Sequence, residues 1–230
     1  MTYQLKNLLL SKIGDWAVHK DTLQAVKDSL PMITDFYSAK GYDDPEPMPI
    51  RELIKEPIKE VYTCPIFSEA FCKIVRDEIE NIKSVTSFTP NVDEDELRQI
   101  PEFILSEKCP EFYESLSKVV LSVMNPIFWS LWQTTIDDIH VQLANYNPKG
   151  KVKGAWHHDH SSDITVVVPL NTGDYKGGGT EFFGRGIVPP LSNGSGLIFP
   201  GFTHLHRGLA VESGDRYLMV FWLKRGSHEE

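Results

Sequence analysis

Five of the eight histidines fall in two short clusters, Trp156-His157-His158-Asp159-His160 and His204-Leu205-His206. Imidazole and carboxylate are ligands for divalent transition metals. Residues two apart in an extended strand project to one face, roughly 6.6 Å apart along the chain. On that spacing His157 and Asp159 are expected to converge on one ion while His158 points away. A distant histidine then closes one triangular face of an octahedron. Two histidines and one carboxylate with open positions suit Fe(II) and the activation of dioxygen. Other arrangements stay open on spacing alone. His158 and His160 with a third histidine would make a three-histidine zinc site. His204 competes with His206, because those two would also share a strand face. The histidines could also be satisfied by neighbours without any metal.

Arg216 adds a second constraint. It heads the apolar run Arg216-Tyr217-Leu218-Met219-Val220-Phe221-Trp222-Leu223, whose alternation puts Arg216, Leu218, Val220 and Trp222 on one face. A permanently charged guanidinium on an inward face needs an anion, and its planar fork matches a carboxylate. A dicarboxylate that chelates the metal at one end and meets Arg216 at the other would account for both features. The alternative is a strand-end arginine in solvent beside Asp215.

These residues need a scaffold of strands, and the chain supplies one after residue 139. The runs 139–146, 164–170, 179–183, 196–200 and 216–223 are short and β-prone, with glycine, asparagine and proline between them. The earlier part reads as helical. Leu23, Val26, Leu30 and Ile33 share a helical stripe, with Asp21 as a candidate N-cap. Ser68 is placed to cap a helix carrying Phe71, Val75, Ile79 and Ile82. A third helix with Phe112, Leu116, Val119 and Val123 on one side is expected to stop near Asn125-Pro126. Helices first and strands afterwards predict an α+β fold, with helices packed on an antiparallel sandwich or barrel. The proline-spaced acidic stretch from Asp43 to Pro49 reads as a linker. Residues 1–57 are thus a helical N-terminal extension and linker, and residues 58–230 the main domain.

Bulk properties narrow the classes. With 32 acidic and 23 basic residues the formal net charge is -9, which repels phosphate backbones and predicts no nucleic-acid partner. Cys64, Cys72 and Cys109 have no metal-site spacing and read as buried thiols. Leu8-Leu9-Leu10 ends at Ser11-Lys12, too short for a signal or spanning segment. A cytoplasmic chain without a membrane partner is expected.

The run from Ile139 to Leu223 resembles the catalytic domain of the prolyl/lysyl hydroxylase branch of the Fe(II)/2-oxoglutarate oxygenases. It is most similar to procollagen lysyl hydroxylases and their viral relatives. The matching pieces are His157-His158-Asp159, Leu170-Asn171, and Tyr175-Lys176-Gly177-Gly178-Gly179-Thr180-Glu181-Phe182. They continue with Pro200-Gly201-Phe202-Thr203-His204-Leu205-His206-Arg207-Gly208-Leu209 and Ser213-Gly214-Asp215-Arg216-Tyr217. The segment from Glu60 to Glu80 is also similar, so the likeness covers roughly residues 58–224. It implies a double-stranded β-helix, a jelly-roll, with His157, Asp159 and His206 as iron ligands. Arg216, ten residues beyond His206, corresponds to the arginine for the distal 2-oxoglutarate carboxylate, and that interval favours His206 over His204. Tyr146 falls where relatives place a cosubstrate-contacting tyrosine. The implied cofactors are Fe(II), 2-oxoglutarate and O2, with ascorbate as accessory reductant.

The implied reaction is hydroxylation of a lysyl, or alternatively prolyl, residue in a protein or peptide, releasing succinate and CO2. A carboxylate at Asp159, where related halogenases carry a small residue, argues for hydroxylation. Residues 84–105 depart from the lysyl hydroxylase pattern, which keeps a free amino acid or other small molecule open as substrate. A non-catalytic, metal-containing β-sandwich binding module is the alternative from a different class. Phe202 occupies the place of an apolar subunit-contact residue, so the likeness also implies a homodimer through that region.

Overall fold

The computed structural model of this 230-residue chain describes residues 2–37, 48–90, 100–149 and 153–225. The first part interleaves helices α1 (Lys20–Tyr37), α2 (Glu69–Val85), α3 (Leu105–Lys108) and α4 (Pro110–Trp132) with strands β1 (Lys55–Ile58), β2 (Val61–Pro65), β3 (Thr89–Pro90) and β4 (Pro101–Ile104). The rest is strands: β5 (Ile136–Tyr146), β6 (Ile164–Pro169), β7 (Lys176–Gly177), β8 (Thr180–Phe182), β9 (Gly186–Val188), β10 (Ser195–Phe199), β11 (His206–Gly208), β12 (Val211–Ser213) and β13 (Arg216–Arg225). All five β-prone runs therefore hold strands. Most of the proline-spaced acidic stretch and residues 91–99 lie outside the described residues.

An eight-stranded sheet runs in the order β1-β2-β10-β6-β13-β5-β4-β3. A three-stranded sheet, β11-β8-β9, and the pair β12-β7 form a smaller layer. All the pairings are antiparallel. Alternation along the central strands sorts side chains between two cores. Val141, Leu143, Val166, Val168, Met219 and Phe221 join Phe71, Val75, Ile79, Leu116 and Val120 beneath the helices. On the other face Leu197 and Phe199 pack with Phe182 and Val188, and Ala144, Leu218 and Val220 pack with Tyr175 and Val211. The molecule is thus helices on a large sheet on a small sheet.

Helix α2 obeys its sequence signals, whereas α1 and α4 depart from theirs. Ser68 caps α2, its hydroxyl accepting from the Phe71 amide at 3.1 Å, and Phe71, Val75, Ile79 and Ile82 are all buried. Helix α1 begins at Lys20, so Asp21 sits in its first turn and does not cap it. Its buried face is Thr22, Ala25, Val26 and Ser29, whereas Leu30 is exposed. Helix α4 does not stop at Asn125-Pro126 but runs through to Trp132, and Gln133 in left-handed geometry ends it. Pro126 gives no N–H to the preceding turn. Asn125 instead bonds the incoming β5 strand, its side chain exchanging two hydrogen bonds with the Ile136 backbone at 2.9 and 3.1 Å. That tertiary clasp, together with burial of Met124, Ile127 and Phe128, holds the last turns.

The N-terminal residues share the helical core, with Leu10, Ala17, Val26 and Ile50 buried in it. Buried Glu78 of α2 anchors them, accepting from the Tyr3 hydroxyl at 2.7 Å and from the Lys6 and Asn7 amides at 2.8 and 3.0 Å. Cys64, Cys72 and Cys109 are all free and buried, as expected. Among the described residues no helix is long and apolar enough to cross a membrane.

Candidate metal centre

His157, Asp159 and His206 meet between the two sheets, each offering a ligand atom within 4.8 Å of the others. Among the described residues this is the one such group. The means of convergence differs from simple strand alternation. Residues 153–160 form no strand. Instead His157 makes an isolated bridge to His206, with both amide-to-carbonyl bonds at 3.0 Å. Flanking bonds from Gly154 N to Gly208 O and from Asp159 N to Gly201 O, at 3.0 and 3.1 Å, extend the pairing. The two histidine clusters are therefore stitched backbone to backbone.

Hydrogen bonds fix how the rings face. Nδ1 of His157 lies 2.9 Å from the Ala155 carbonyl, and Nδ1 of His206 lies 2.9 Å from the His204 carbonyl. A carbonyl only accepts, so each Nδ1 carries the proton and each Nε2 keeps its lone pair. Those two Nε2 atoms face Asp159, at 3.5 Å from Oδ1 and 3.7 Å from Oδ2. The carboxylate is held in turn by the Thr165 hydroxyl, which donates to Oδ2 at 2.6 Å. Support of this kind, a partner behind each ligand, is what orients metal-binding side chains. Burial lowers the His206 imidazole below its ordinary value, to about 4, against the opposing pull of the Asp159 charge. Neutral imidazole is the metal-binding form. His157 is half-buried, so one side of the group is open.

The competing histidines are separated from the group. His204 is buried but turns away, with its Nε2 3.0 Å from Arg185 and its Nδ1 3.0 Å from the Thr203 hydroxyl. It precedes β11, so it does not share a strand face with His206. The His158 and His160 rings lie tilted to each other at 5.7 Å, and His160 and Phe202 meet edge to face.

Arg216 is 4% exposed, on the inner face of β13, and its Nε and Nη1 have no hydrogen-bond partner. Its nearest organised neighbour is Tyr146, the cross-strand residue, with the guanidinium 5.7 Å from the ring centre. Desolvating a charge without a partner is costly. Two glycines lie against it. A Cβ on Gly178 would come within 3.2 Å of Arg216 Cδ, and one on Gly208 within 3.7 Å of Nη1 and 3.5 Å of the Tyr146 hydroxyl. Gly208 is two residues beyond His206 on β11, one strand repeat of about 6.6 Å. A cationic group whose Nε and Nη1 lack partners thus sits against a glycine one repeat from a metal ligand. The two acceptor-seeking nitrogens, the glycine gap and the two-histidine, one-carboxylate donor set fit a metal-chelated dicarboxylate.

Gly177, Gly178 and Gly179 have φ of 81°, 80° and 102°. A Cβ at Gly177 would stand 2.4 Å from the Ala210 carbonyl oxygen, so the backbones approach closely here. One supporting residue carried no sequence signal of its own: Thr165 reads as an ordinary strand threonine.

No protein-family model matches the chain. It is 25% identical over 184 residues to the multifunctional procollagen lysine hydroxylase and glycosyltransferase of Caenorhabditis elegans, covering 74% of this chain and 25% of that protein. It is 29% identical over 178 residues to procollagen-lysine,2-oxoglutarate 5-dioxygenase 1 of Mus musculus, covering 74% and 24%. The chain has homologues among the 2-oxoglutarate-dependent procollagen lysine hydroxylases. It spans about a quarter of the length of these curated relatives. Among solved structures, the viral collagen prolyl hydroxylase of Paramecium Bursaria Chlorella virus-1, in its 2OG complex, superposes with a TM-score of 0.50 at 19% identity. That match covers 73% of this chain and 96% of the viral one, and it supports the jelly-roll fold.

Proposed function

We propose that this chain is an Fe(II)- and 2-oxoglutarate-dependent hydroxylase of lysyl side chains in a protein or peptide, with prolyl side chains as the alternative. The observation that carries it is Arg216: a buried guanidinium with unpartnered nitrogens, facing Gly208, one strand repeat from His206. His157, Asp159 and His206 would hold the metal, Arg216 the distal carboxylate of 2-oxoglutarate, and Tyr146 would contact the cosubstrate. Iron in such a site supplies the oxidative chemistry, coupling decarboxylation of 2-oxoglutarate with O2 to hydroxylation and leaving succinate and CO2. Ascorbate as reductant belongs to the same proposal.

The protein's share is positioning. The backbone bridge between His157 and His206 fixes the ligand face, and Thr165 keeps Asp159 aimed into it. Leu218 and Val220, on the same face of β13 as Arg216, pack with Ala144, Tyr146, Tyr175 and Val211. The names of the relatives support a protein or peptide substrate. Exposed Phe202 supports a homodimer through that region, and a monomer mass independent of concentration in light scattering would rule it out.

The test is anaerobic loading with Fe(II) and 2-oxoglutarate, admission of air, and quantification of succinate. Wild type should form succinate, while Asp159→Ala and Arg216→Ala should not. Mass spectrometry of lysine-bearing and proline-bearing collagen-like peptides then reads the added oxygen. Succinate formation stimulated by free amino acids and by no peptide would move the substrate to small molecules. No succinate under any condition would leave a metal-binding module.

A further inference from the structure

The face of the large sheet that looks toward the metal group can be read row by row from the strand register. One row is Phe199, Thr165, Trp222 and His140, and it is tied to the metal group because Thr165 bonds Asp159. Another is Pro169, Leu218, Ala144 and Glu102, and beyond it stand Arg216 and Tyr146. Between the Thr165 row and these lies a row of Leu197, Val167, Val220, Gln142 and Ile104. Four of its five members are aliphatic. The fifth, Gln142, is 0% exposed, and neither its amide nitrogen nor its amide oxygen has a hydrogen-bond partner.

A carboxamide buried without partners has given up its hydrogen bonds to water and gained none in return. Native structures rarely tolerate that without a ligand, ion or water to complete it. Here the amide's own location says what completes it. It shares a sheet face with Arg216, whose Nε and Nη1 are also unpartnered, and its row lies between Arg216 and the Thr165 row that anchors Asp159. Gln142 is fully buried, whereas the His157 side of the metal group is partly open.

Resting on the function proposed above, we infer that Gln142 is a cosubstrate-binding residue, its amide N–H donating to a carboxylate oxygen of 2-oxoglutarate. Arg216 grips the cosubstrate at the distal end, and Gln142 supplies a neutral donor nearer the metal. A neutral donor suits that position. It fixes the orientation of the chelating end without adding a charge that would compete with the ion for Asp159.

The experiment is calorimetric titration of 2-oxoglutarate into protein loaded with Mn(II), a stand-in that does not turn over, together with the thermal midpoint of the metal-free protein. Wild type, Gln142→Leu, Gln142→Met and Arg216→Met are compared. The expected result is binding to wild type, weakened on the order of tenfold or more in Gln142→Leu, as for loss of a hydrogen bond to a charged group. The metal-free midpoint should be unchanged or raised, because two unpartnered polar atoms are gone. Gln142→Met, less branched, repeats the measurement should the leucine variant not fold. Unchanged affinity in a folded variant overturns the inference, whether its midpoint rises or falls. If wild type itself binds no 2-oxoglutarate, the proposed function fails and the inference with it. If Arg216→Met loses binding while Gln142→Leu keeps it, only the inference fails.

Discussion

Replacing Arg216 with methionine separates a ligand-binding role from a structural one, because the two predict opposite effects on the empty protein. The guanidinium is 4% exposed, with Nε and Nη1 unpartnered. Replacing buried charge by apolar volume is often neutral or stabilising by about 1–4 kcal/mol. Losing the contact with the Tyr146 ring costs roughly 0.5–2 kcal/mol in the other direction. The sum lies near zero or above it. For a chain of this size about 1 kcal/mol moves the thermal midpoint by roughly 2–4 °C, so the metal-free variant should melt within a few degrees of wild type or higher. Cosubstrate binding should respond quite differently. Removing one partner of a buried ion pair costs about 2–5 kcal/mol, which weakens affinity by roughly 30-fold to several thousand-fold. Differential scanning calorimetry and titration of 2-oxoglutarate into Mn(II)-loaded protein read the two quantities. A variant that melts more than about 10 °C lower and still binds 2-oxoglutarate like wild type would refute the assignment of Arg216 to the cosubstrate.

Three further outcomes follow from the same geometry. Thr165→Val removes the donor to Asp159 Oδ2 and should weaken metal binding by about 10–100-fold with little change in fold, as read by competition with a chelator; unaltered affinity would show that Thr165 does not support the ligand. Gly208→Ala places a Cβ at ordinary contact distance and should fold normally, whereas Gly208→Leu should fill the space before Arg216, abolishing 2-oxoglutarate binding but sparing metal binding. Retained cosubstrate binding in the leucine variant would count against that path. Burial lowers the His206 value from 6.5 to about 4, so between these values the unfolded chain holds the proton that the folded chain refuses. Metal-free stability should therefore fall as pH drops from about 6.5 toward 4, by up to about 3 kcal/mol. The difference in denaturant midpoint between wild type and His206→Gln should follow that window, and a difference independent of pH would contradict it.

Much of this protein is legible in its sequence because the signals are local. Ser68 caps α2, and the stripe Phe71, Val75, Ile79 and Ile82 is buried, as spacing alone requires. The alternation of β13 puts Arg216, Leu218 and Val220 on one face, because side-chain direction in a strand has a fixed period. Residue types and spacing likewise make His157, Asp159 and a distal histidine one candidate ligand set, beside a set built on His158 and His160. Where the sequence misleads, a long-range contact outweighs a local preference. Pro126 would end an isolated helix, but Asn125 clasps Ile136 and the helix continues to Trp132. Asp21 has the chemistry of a cap, but α1 starts one residue earlier.

The choice between His204 and His206 shows the division most clearly. Both have the same chemistry, and composition and spacing leave them equal; the interval to Arg216 favours His206 only through the family resemblance. Tertiary structure separates them, because the bridge from His157 to His206 turns one ring toward Asp159, while His204 packs against Arg185. Gln142 goes further, since nothing in its neighbours marks it. Its meaning arises only when five strands align to place a polar amide in an aliphatic row between Arg216 and Thr165. The sequence by itself determines which chemistry is available and which faces are apolar, because those depend on residue type and local period. Which groups converge, and which buried polar atoms are left without a partner, depends on pairing across residues far apart in the chain, and only the folded structure decides it.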